Sequence, residues 1–184
     1  MTTSLSASQS ARAIGLCCWV EQQVFALLGG WITGISEPGP KLVLLELSDH
    51  AAWRAQRWYE LLPTAPPGAD ALVEGTESLG AVLLGAHALD DAAGTVERLV
   101  VAESLLDLLD RSVAELLLRT SAIAGAAVLR IGGIIRTDLA SDLDRCRLAA
   151  SELGTAVDAG LLAGFLQPLH PFEALSALEF LDRT

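Results

Sequence analysis

The segment 63–94, PTAPPGADALVEGTESLGAVLLGAHALDDAAG, lies between two pairs of long apolar segments and decides the fold of this chain. Its first six residues, PTAPPG, cannot form a continuous helix, because proline lacks the backbone N–H and clashes with the preceding turn. Residues 72–89 carry enough apolar side chains for one short helix. A simple up-and-down bundle would not need a connection of about thirty residues at this point.

Two helical hairpins flank this connection. Apolar residues recur every three or four positions on both sides of it, which predicts long amphipathic helices. The first hairpin turns at the sequence EPGP, residues 37–40, and the second turns at Thr120-Ser121. Ser8 or Ser10 is the predicted N-cap of the first helix, and Gly154 is the predicted stop of the last. The predicted helices span residues 8–34, 40–62, 92–119 and 122–153.

This order of elements predicts an all-α protein with one domain over residues 1–184. Short turns make each hairpin antiparallel, and one long crossover between the second and third helices is the ferritin-like arrangement of a four-helix bundle. Two extra short helices are expected near the C-terminus, at 157–165 and 172–182, separated by Pro168 and Pro171. The predicted fold is therefore a ferritin-like four-helix bundle with a long crossover and short C-terminal helices.

Composition agrees with a folded helical domain. The 184 residues are 52% hydrophobic and 19% charged, which is outside the range of disordered chains. The apolar residues are mainly Leu and Ala, which favour helix over sheet. The net charge is −11 and Lys41 is the only lysine. Such a surface repels nucleic acid and anionic membrane, so we expect neither as a partner.

Cysteine usage and the N-terminal sequence predict a cytoplasmic protein. Cys17 and Cys18 are sequence neighbours that do not readily bridge each other, and with Cys146 they do not form a disulfide framework. The first residues, MTTSLSASQSAR, lack the basic start and apolar core of a secretory signal. Charged residues interrupt every apolar stretch of membrane-spanning length, so we expect no membrane segment.

Ionisable residues inside the apolar helices are the strongest functional signal. A charge in a helix core is costly unless it is paired or binds a metal. Counting ~1.5 Å per residue from each turn places Glu21, His50, Asp107 and Asp138 at a similar depth, roughly 18–21 Å. One such group on each of four helices predicts a metal site inside the bundle. The candidate ligands are Glu21, Glu46, His50, Asp107, Asp138 and Asp142.

These residues supply part of the ligand set of a two-iron bundle. That site takes a Glu from each of two helices and a Glu-x-x-His motif from each of the other two. Glu46 and His50 are four residues apart and share a helix face, as do Asp138 and Asp142. The fourth helix offers no His, because His87 and His170 fall in connections.

Each candidate also has a structural interpretation. Glu21 would pair with Arg54 or Arg12, because buried charges are usually paired. His50 would be a hydrogen-bonded core histidine, and Arg54 would be a solvated helix charge beside Asp49. Two solvent-facing patterns of charge are also consistent with the sequence. They are the acidic set Asp107, Asp110 and Glu115, and the mixed set Arg136, Asp138, Asp142, Asp144, Arg145 and Arg147.

Three stretches of the chain together suggest a family. They are Glu21 with the later Leu28-Gly29-x-Trp31, DHAAWRAQRW at 49–58 leading to Leu62-Pro63, and RTSAIAG at 119–125 followed by Arg130 and Asp138. These stretches resemble ferritin-like proteins of the actinobacterial type, which are loosely akin to diiron hydroxylases of tRNA or small metabolites. The resemblance covers about residues 10–150 and implies a metal-ligand role for Glu21, Glu46, His50 and Asp138.

Two functions from different classes follow. The first is a metal-dependent oxidoreductase, in which iron or manganese held by the candidate ligands serves the oxidation of a small organic substrate. The second is a metal-free bundle that keeps the fold and acts as a binding or oligomerisation module. In the second case an apolar stripe on the last helix would form a homodimer contact. That stripe is Phe172, Leu175, Leu178 and Leu181.

Overall fold

The computed structural model describes residues 4–66, 68–88 and 94–154, and over these residues the protein is all-helical, without a β-strand. This confirms the all-α class. Short 3-10 turns follow the first helix at Ile32–Gly34 and precede the third at Asp70–Leu72. The α-helices are α1 (Ala7–Trp31), α2 (Pro38–Tyr59), α3 (Glu77–Ala88), α4 (Thr95–Arg119) and α5 (Ala126–Leu153).

The boundaries follow the local chemistry of each helix end. Pro38 occupies the first turn of α2, where the missing N–H has no partner to lose, so this helix begins two residues earlier than predicted. Gly154 ends α5 with a left-handed φ of 58°, which a residue without Cβ adopts at little cost. The connection 63–94 contains α3, the short helix expected within 72–89.

The N-cap of α1 differs from the prediction. Ser6, rather than Ser8 or Ser10, accepts a hydrogen bond from the backbone N–H of Gln9, and the Gln9 side chain accepts one from the backbone N–H of Ser6. This reciprocal capping box satisfies two backbone donors at once, whereas Ser8 or Ser10 alone would satisfy one. The three-residue spacing of Ser6 and Gln9 was the signal that the prediction overlooked.

The helices pack mainly in two pairs, α1 against α2 and α4 against α5. Cross-helix bonds run in reverse order along both pairs, which makes them antiparallel. Ser48 bonds to Phe25 and Ala55 to Cys18, while Cys146 bonds to Leu99 and Arg136 to Asp110. Contacts of α2 with α5 and of α1 with α4 join the pairs around one apolar core. The largest fully buried apolar side chains are Trp31, Trp58, Leu27, Leu28, Leu44, Leu47, Leu99, Leu106, Leu116, Ile135 and Leu139.

Some predictions fall outside the described residues. The short helices at 157–165 and 172–182, the apolar stripe of Phe172, Leu175, Leu178 and Leu181, and His170 all lie in the segment 155–184. They stay predictions.

One helical segment passes the length and composition test for crossing a membrane. It is Ala7–Gly34, and 61% of its apolar window is buried inside the protein. A core helix of a folded domain passes the same test, and this segment contains the buried, ion-paired Glu21.

Gly15 marks the closest approach of α1 to the crossover connection, which gives a test of the packing. A Cβ on Gly15 would lie 1.9 Å from the carbonyl oxygen of Leu72, whereas a Cβ on Gly30 would have no atom within 4 Å. We predict that Gly15→Ala lowers the free energy of unfolding by about 1–3 kcal/mol through overpacking. The matched variant Gly30→Ala should be neutral or raise it by up to about 1 kcal/mol, because Ala favours helix. Urea unfolding measures both, and equal effects of the two variants would contradict the packing of residue 72 on α1.

Candidate functional site

A buried arginine lies at the centre of the charged residues. The side chain of Arg54 on α2 is 0% exposed. Its Nε donates to Glu21 Oε1 on α1 at 2.9 Å, and its Nη1 donates to Asp138 Oδ2 and Asp142 Oδ2 on α5, each at 2.7 Å. One guanidinium thus contacts carboxylates from both helices that flank α2. We call Glu21, His50, Arg54, Asp138 and Asp142 the Arg54 cluster.

Helix periodicity brings the cluster together. His50 and Arg54 are four residues apart on α2, and Asp138 and Asp142 are four apart on α5, so each pair shares a helix face. These faces meet where α2 packs on α5. Fully buried apolar residues surround the cluster along the same helices, and they hold the charged groups in place. They are Leu47, Ala51, Trp58, Ile135 and Leu139.

The cluster is sealed on one side and open on the other. Glu21, Arg54 and Asp142 are 0% exposed, whereas the side chains of Asp138 and His50 are 27% and 34% exposed. His50 Nδ1 lies 2.8 Å from Asp142 Oδ1. Solvent therefore reaches the cluster from the side of His50 and Asp138.

Burial and charge shift the ionisation of the sealed groups. Burial raises the pKa of Glu21 to about 7; Arg54 acts in the opposite direction, and the negative charges of Asp142 and Asp138 add to the rise. Burial opposes the charged form of Arg54, but the carboxylates of Glu21, Asp142 and Asp138 outweigh it and hold the pKa of the guanidinium above its usual range. Arg54 is therefore always protonated, and Glu21 titrates near neutral pH.

The cluster contains more negative than positive charge. Arg54 supplies one positive charge beside the three carboxylates of Glu21, Asp138 and Asp142. Buried charge of this kind requires compensation by protons or by a cation. The ligand atoms of His50, Asp138 and Asp142 lie within 4.8 Å of one another, a spacing suited to one metal ion.

Two further atoms of the cluster are buried without a hydrogen bond in the part of the chain that the structure describes. They are Glu21 Oε2 and Arg54 Nη2, both on the sealed side. A buried donor or acceptor left in this state typically costs ~1–3 kcal/mol, so the cluster is not arranged for stability alone.

The structure places two of the six predicted ligands outside the cluster. Glu46 lies on the exposed surface, where it forms an ion pair with Arg145. Asp107 is half exposed on α4 and pairs with Arg111 at 3.0 Å, because the core-facing side of that helix is taken by leucines. Depth along a helix, the basis of the prediction, does not fix the side of the helix on which a residue lies. The other four, Glu21, His50, Asp138 and Asp142, come together.

Two structural interpretations from the sequence also have an outcome. The pairing of Glu21 with Arg54 is confirmed at 2.9 Å. The interpretation of Arg54 as a solvated charge is wrong, because its side chain is fully buried. The available signal was its position between Ala51, Ala55 and Trp58, which all lie on the buried face of α2.

Comparison with protein-family models, with curated proteins and with solved structures finds no significant match for this chain. The geometry of the Arg54 cluster and the residue patterns of the sequence therefore carry the functional argument.

The raised pKa of Glu21 predicts a pH dependence of stability. Between its unfolded pKa, ~4.3, and its folded value of about 7, the folded state binds more protons than the unfolded state. The free energy of unfolding should therefore fall as pH rises through this window, by on the order of 3 kcal/mol. Glu21→Gln removes the titrating group and should remove this decrease from a series of urea titrations at pH 4.5–7.5.

Glu46→Gln is the matched control, because it removes an exposed carboxylate from an ion pair on α2. Its pH profile should follow that of the unsubstituted protein. A Glu21→Gln profile with the same slope as the unsubstituted protein would show that Glu21 does not titrate in this window.

Proposed function

We propose that this protein is a ferritin-like helical bundle that binds one divalent metal ion, iron or manganese, through His50, Asp138 and Asp142. In this proposal the bound ion serves the oxidation of a small organic substrate. The observation that carries the proposal is the spacing of the three ligand atoms, within 4.8 Å of one another, beside carboxylates that Arg54 alone does not neutralise.

The ferritin-like fold is supported by the helix order. Two antiparallel hairpins, α1–α2 and α4–α5, are joined by a long connection whose described residues contain the short helix α3 and the 3-10 turn Asp70–Leu72. A bundle with one long crossover has this order. The resemblance at residues 21–31, 49–63 and 119–138 supports the same fold.

The ligand types support iron or manganese. Carboxylate oxygens and one imidazole nitrogen suit these ions, whereas thiolates would select softer metals. All three cysteines are buried, and burial, assisted by neighbouring acidic groups, raises the pKa of Cys17 and Cys146 to about 12, which disfavours thiolate ligands. When bound, the ion would supply the redox chemistry of the reaction.

The chain's own residues would orient this site. Arg54 Nη1 holds the Oδ2 atoms of Asp138 and Asp142, which fixes both carboxylates, while Asp142 Oδ1 faces His50 Nδ1 at 2.8 Å. Outer groups that orient metal ligands in this way are a general feature of metal sites. The partial exposure of His50 and Asp138 gives a substrate a direct approach, while the sealed side excludes water from Glu21 and Arg54.

A two-iron centre is the less favoured form of the proposal. Glu21, which would serve the second ion, is held by Arg54, and the cluster has one histidine. Glu46 and Asp107 pair with arginines away from the cluster. The remaining ligands suffice for one ion.

The second candidate function is a metal-free binding or oligomerisation module. It is favoured by the hydrogen bonds of the cluster, because Arg54 and His50 already pair with Asp142. Exposed apolar side chains on the outer face of α2, Leu42, Leu45 and Trp53, would then suit a protein partner or a homodimer. Under either function we retain the expectations of a cytoplasmic location and of no nucleic-acid partner.

Metal content separates the two candidates. We predict about one iron or manganese ion per chain by elemental analysis of protein purified from supplemented medium, as expected for one ligand set. His50→Ala should lower the bound metal at least about tenfold, because it removes one of three ligands. The His50 side chain is 34% exposed, so its truncation leaves no sealed cavity and this variant should stay folded.

Asp107→Asn and Glu46→Gln are the matched controls, because they remove predicted ligands that lie outside the cluster. Both should retain the metal content of the unsubstituted protein. Absence of iron, manganese and zinc from the unsubstituted protein would contradict the metal proposal and favour the metal-free module.

A further inference from the structure

We propose that Arg54 is a built-in cation that occupies the position of a second metal ion, so that replacing it opens a second divalent-cation site on Glu21. This inference deepens the proposed function and shares its site, but it concerns the sealed side of the cluster rather than His50. In this proposal Arg54 is the residue that limits the protein to one bound ion.

The carboxylate oxygens around Arg54 are arranged as the ligands of a cation would be. Three carboxylate oxygens, Glu21 Oε1, Asp138 Oδ2 and Asp142 Oδ2, converge on the Arg54 guanidinium at 2.7–2.9 Å from its nitrogens. They come from α1 and α5, the two helices between which α2 places its side chain. Two of the oxygens meet at Nη1 and the third at Nε of the same guanidinium, and a set of neighbouring carboxylate oxygens is what a divalent cation such as Mn²⁺ takes.

The charges on the two sides of the cluster also favour a cation at the position of Arg54. On the sealed side, Arg54 supplies a permanent positive charge, because a guanidinium stays protonated in proteins. This charge balances Glu21, and the two aspartates then match one divalent ion on the open side. Without Arg54 the three carboxylates would bind either additional protons or a further cation, and a divalent ion supplied in excess would compete with protons for them.

Two buried polar atoms on the sealed side of the cluster have no hydrogen-bond partner among the described residues. Glu21 is 0% exposed, and its Oε2 has no partner among the described residues. Arg54 Nη2 is in the same state, so the guanidinium does not satisfy its own site completely. A spare carboxylate oxygen at full burial is a further ligand atom for an ion in place of Arg54.

Arg54→Gln tests the inference with Mn²⁺ as the probe. The substitution keeps a polar side chain that ends near the position of Arg54 Nε, removes the charge, and vacates the position of Nη1 between the two aspartates. We expect Mn²⁺ binding, measured by calorimetry and by the loss of the free-ion EPR signal, to rise by one ion per chain relative to the unsubstituted protein. Arg54→Lys keeps the charge and should leave the number of bound ions unchanged.

The double variant Arg54→Gln with Glu21→Gln identifies the site. It lacks the carboxylate that the additional ion requires, so it should bind one ion fewer than Arg54→Gln. Millimolar Mn²⁺ should also raise the melting temperature of Arg54→Gln more than that of the double variant. This thermal readout keeps the test valid if Arg54→Gln folds only with metal.

The outcomes separate this inference from the proposed function. If the unsubstituted protein binds one ion and Arg54→Gln binds two, both the inference and the proposed function are supported. If the unsubstituted protein binds none and Arg54→Gln binds one, the inference is supported and the proposed function is contradicted. Equal numbers in the two proteins overturn the inference, whatever that number is. It is also overturned if Arg54→Gln stays unfolded in millimolar Mn²⁺ while the double variant folds.

Discussion

The buried guanidinium of Arg54 is the interaction on which the rest of the site depends. It contacts Glu21 on α1 and both aspartates on α5, so it fixes the relative position of α1, α2 and α5 at one level of the helix core. Removing one partner from a buried ion pair typically costs ~3–5 kcal/mol, since the remaining charge loses its compensation. Replacing all residues of a buried ion-pair network by apolar residues of similar volume often leaves the stability of the fold unchanged or raises it. Stability alone therefore does not account for five ionisable groups in this position.

A functional account explains the distribution of exposure within the cluster. Purely structural ion pairs would be sealed on all sides or exposed on the surface, whereas this cluster joins a closed side to an open one. The closed side contains a permanent cation, and the open side contains the imidazole and the less buried aspartate. This division fixes charge in the interior and leaves His50 and Asp138 in reach of solvent, which suits the proposed metal site.

The sequence predicted the helices well and the site only in part. The periodicity of apolar residues and the prolines at 63–68 were sufficient for the all-α class and for the positions of the four long helices. Glu21, His50, Asp138 and Asp142 were found because each interrupts an apolar stretch. Glu46 and Asp107 were included because helix rise fixes depth and leaves the direction of the side chain open. Arg54 was assigned to solvent because an arginine near Asp49 looks like a surface charge, and only packing of α2 on α5 shows that it is buried.

Binding of one divalent ion on the open side of the Arg54 cluster is tested most directly by anomalous diffraction. The crystals are grown with Mn²⁺, and data are recorded above and below the manganese absorption edge. The account predicts a single anomalous peak in contact with His50, Asp138 and Asp142, and none beside Glu21 while Arg54 is present. The account is contradicted if Mn²⁺ binds elsewhere at full occupancy and gives no peak at these residues. It is also contradicted if two peaks appear and the second ion has displaced the Arg54 side chain from Glu21.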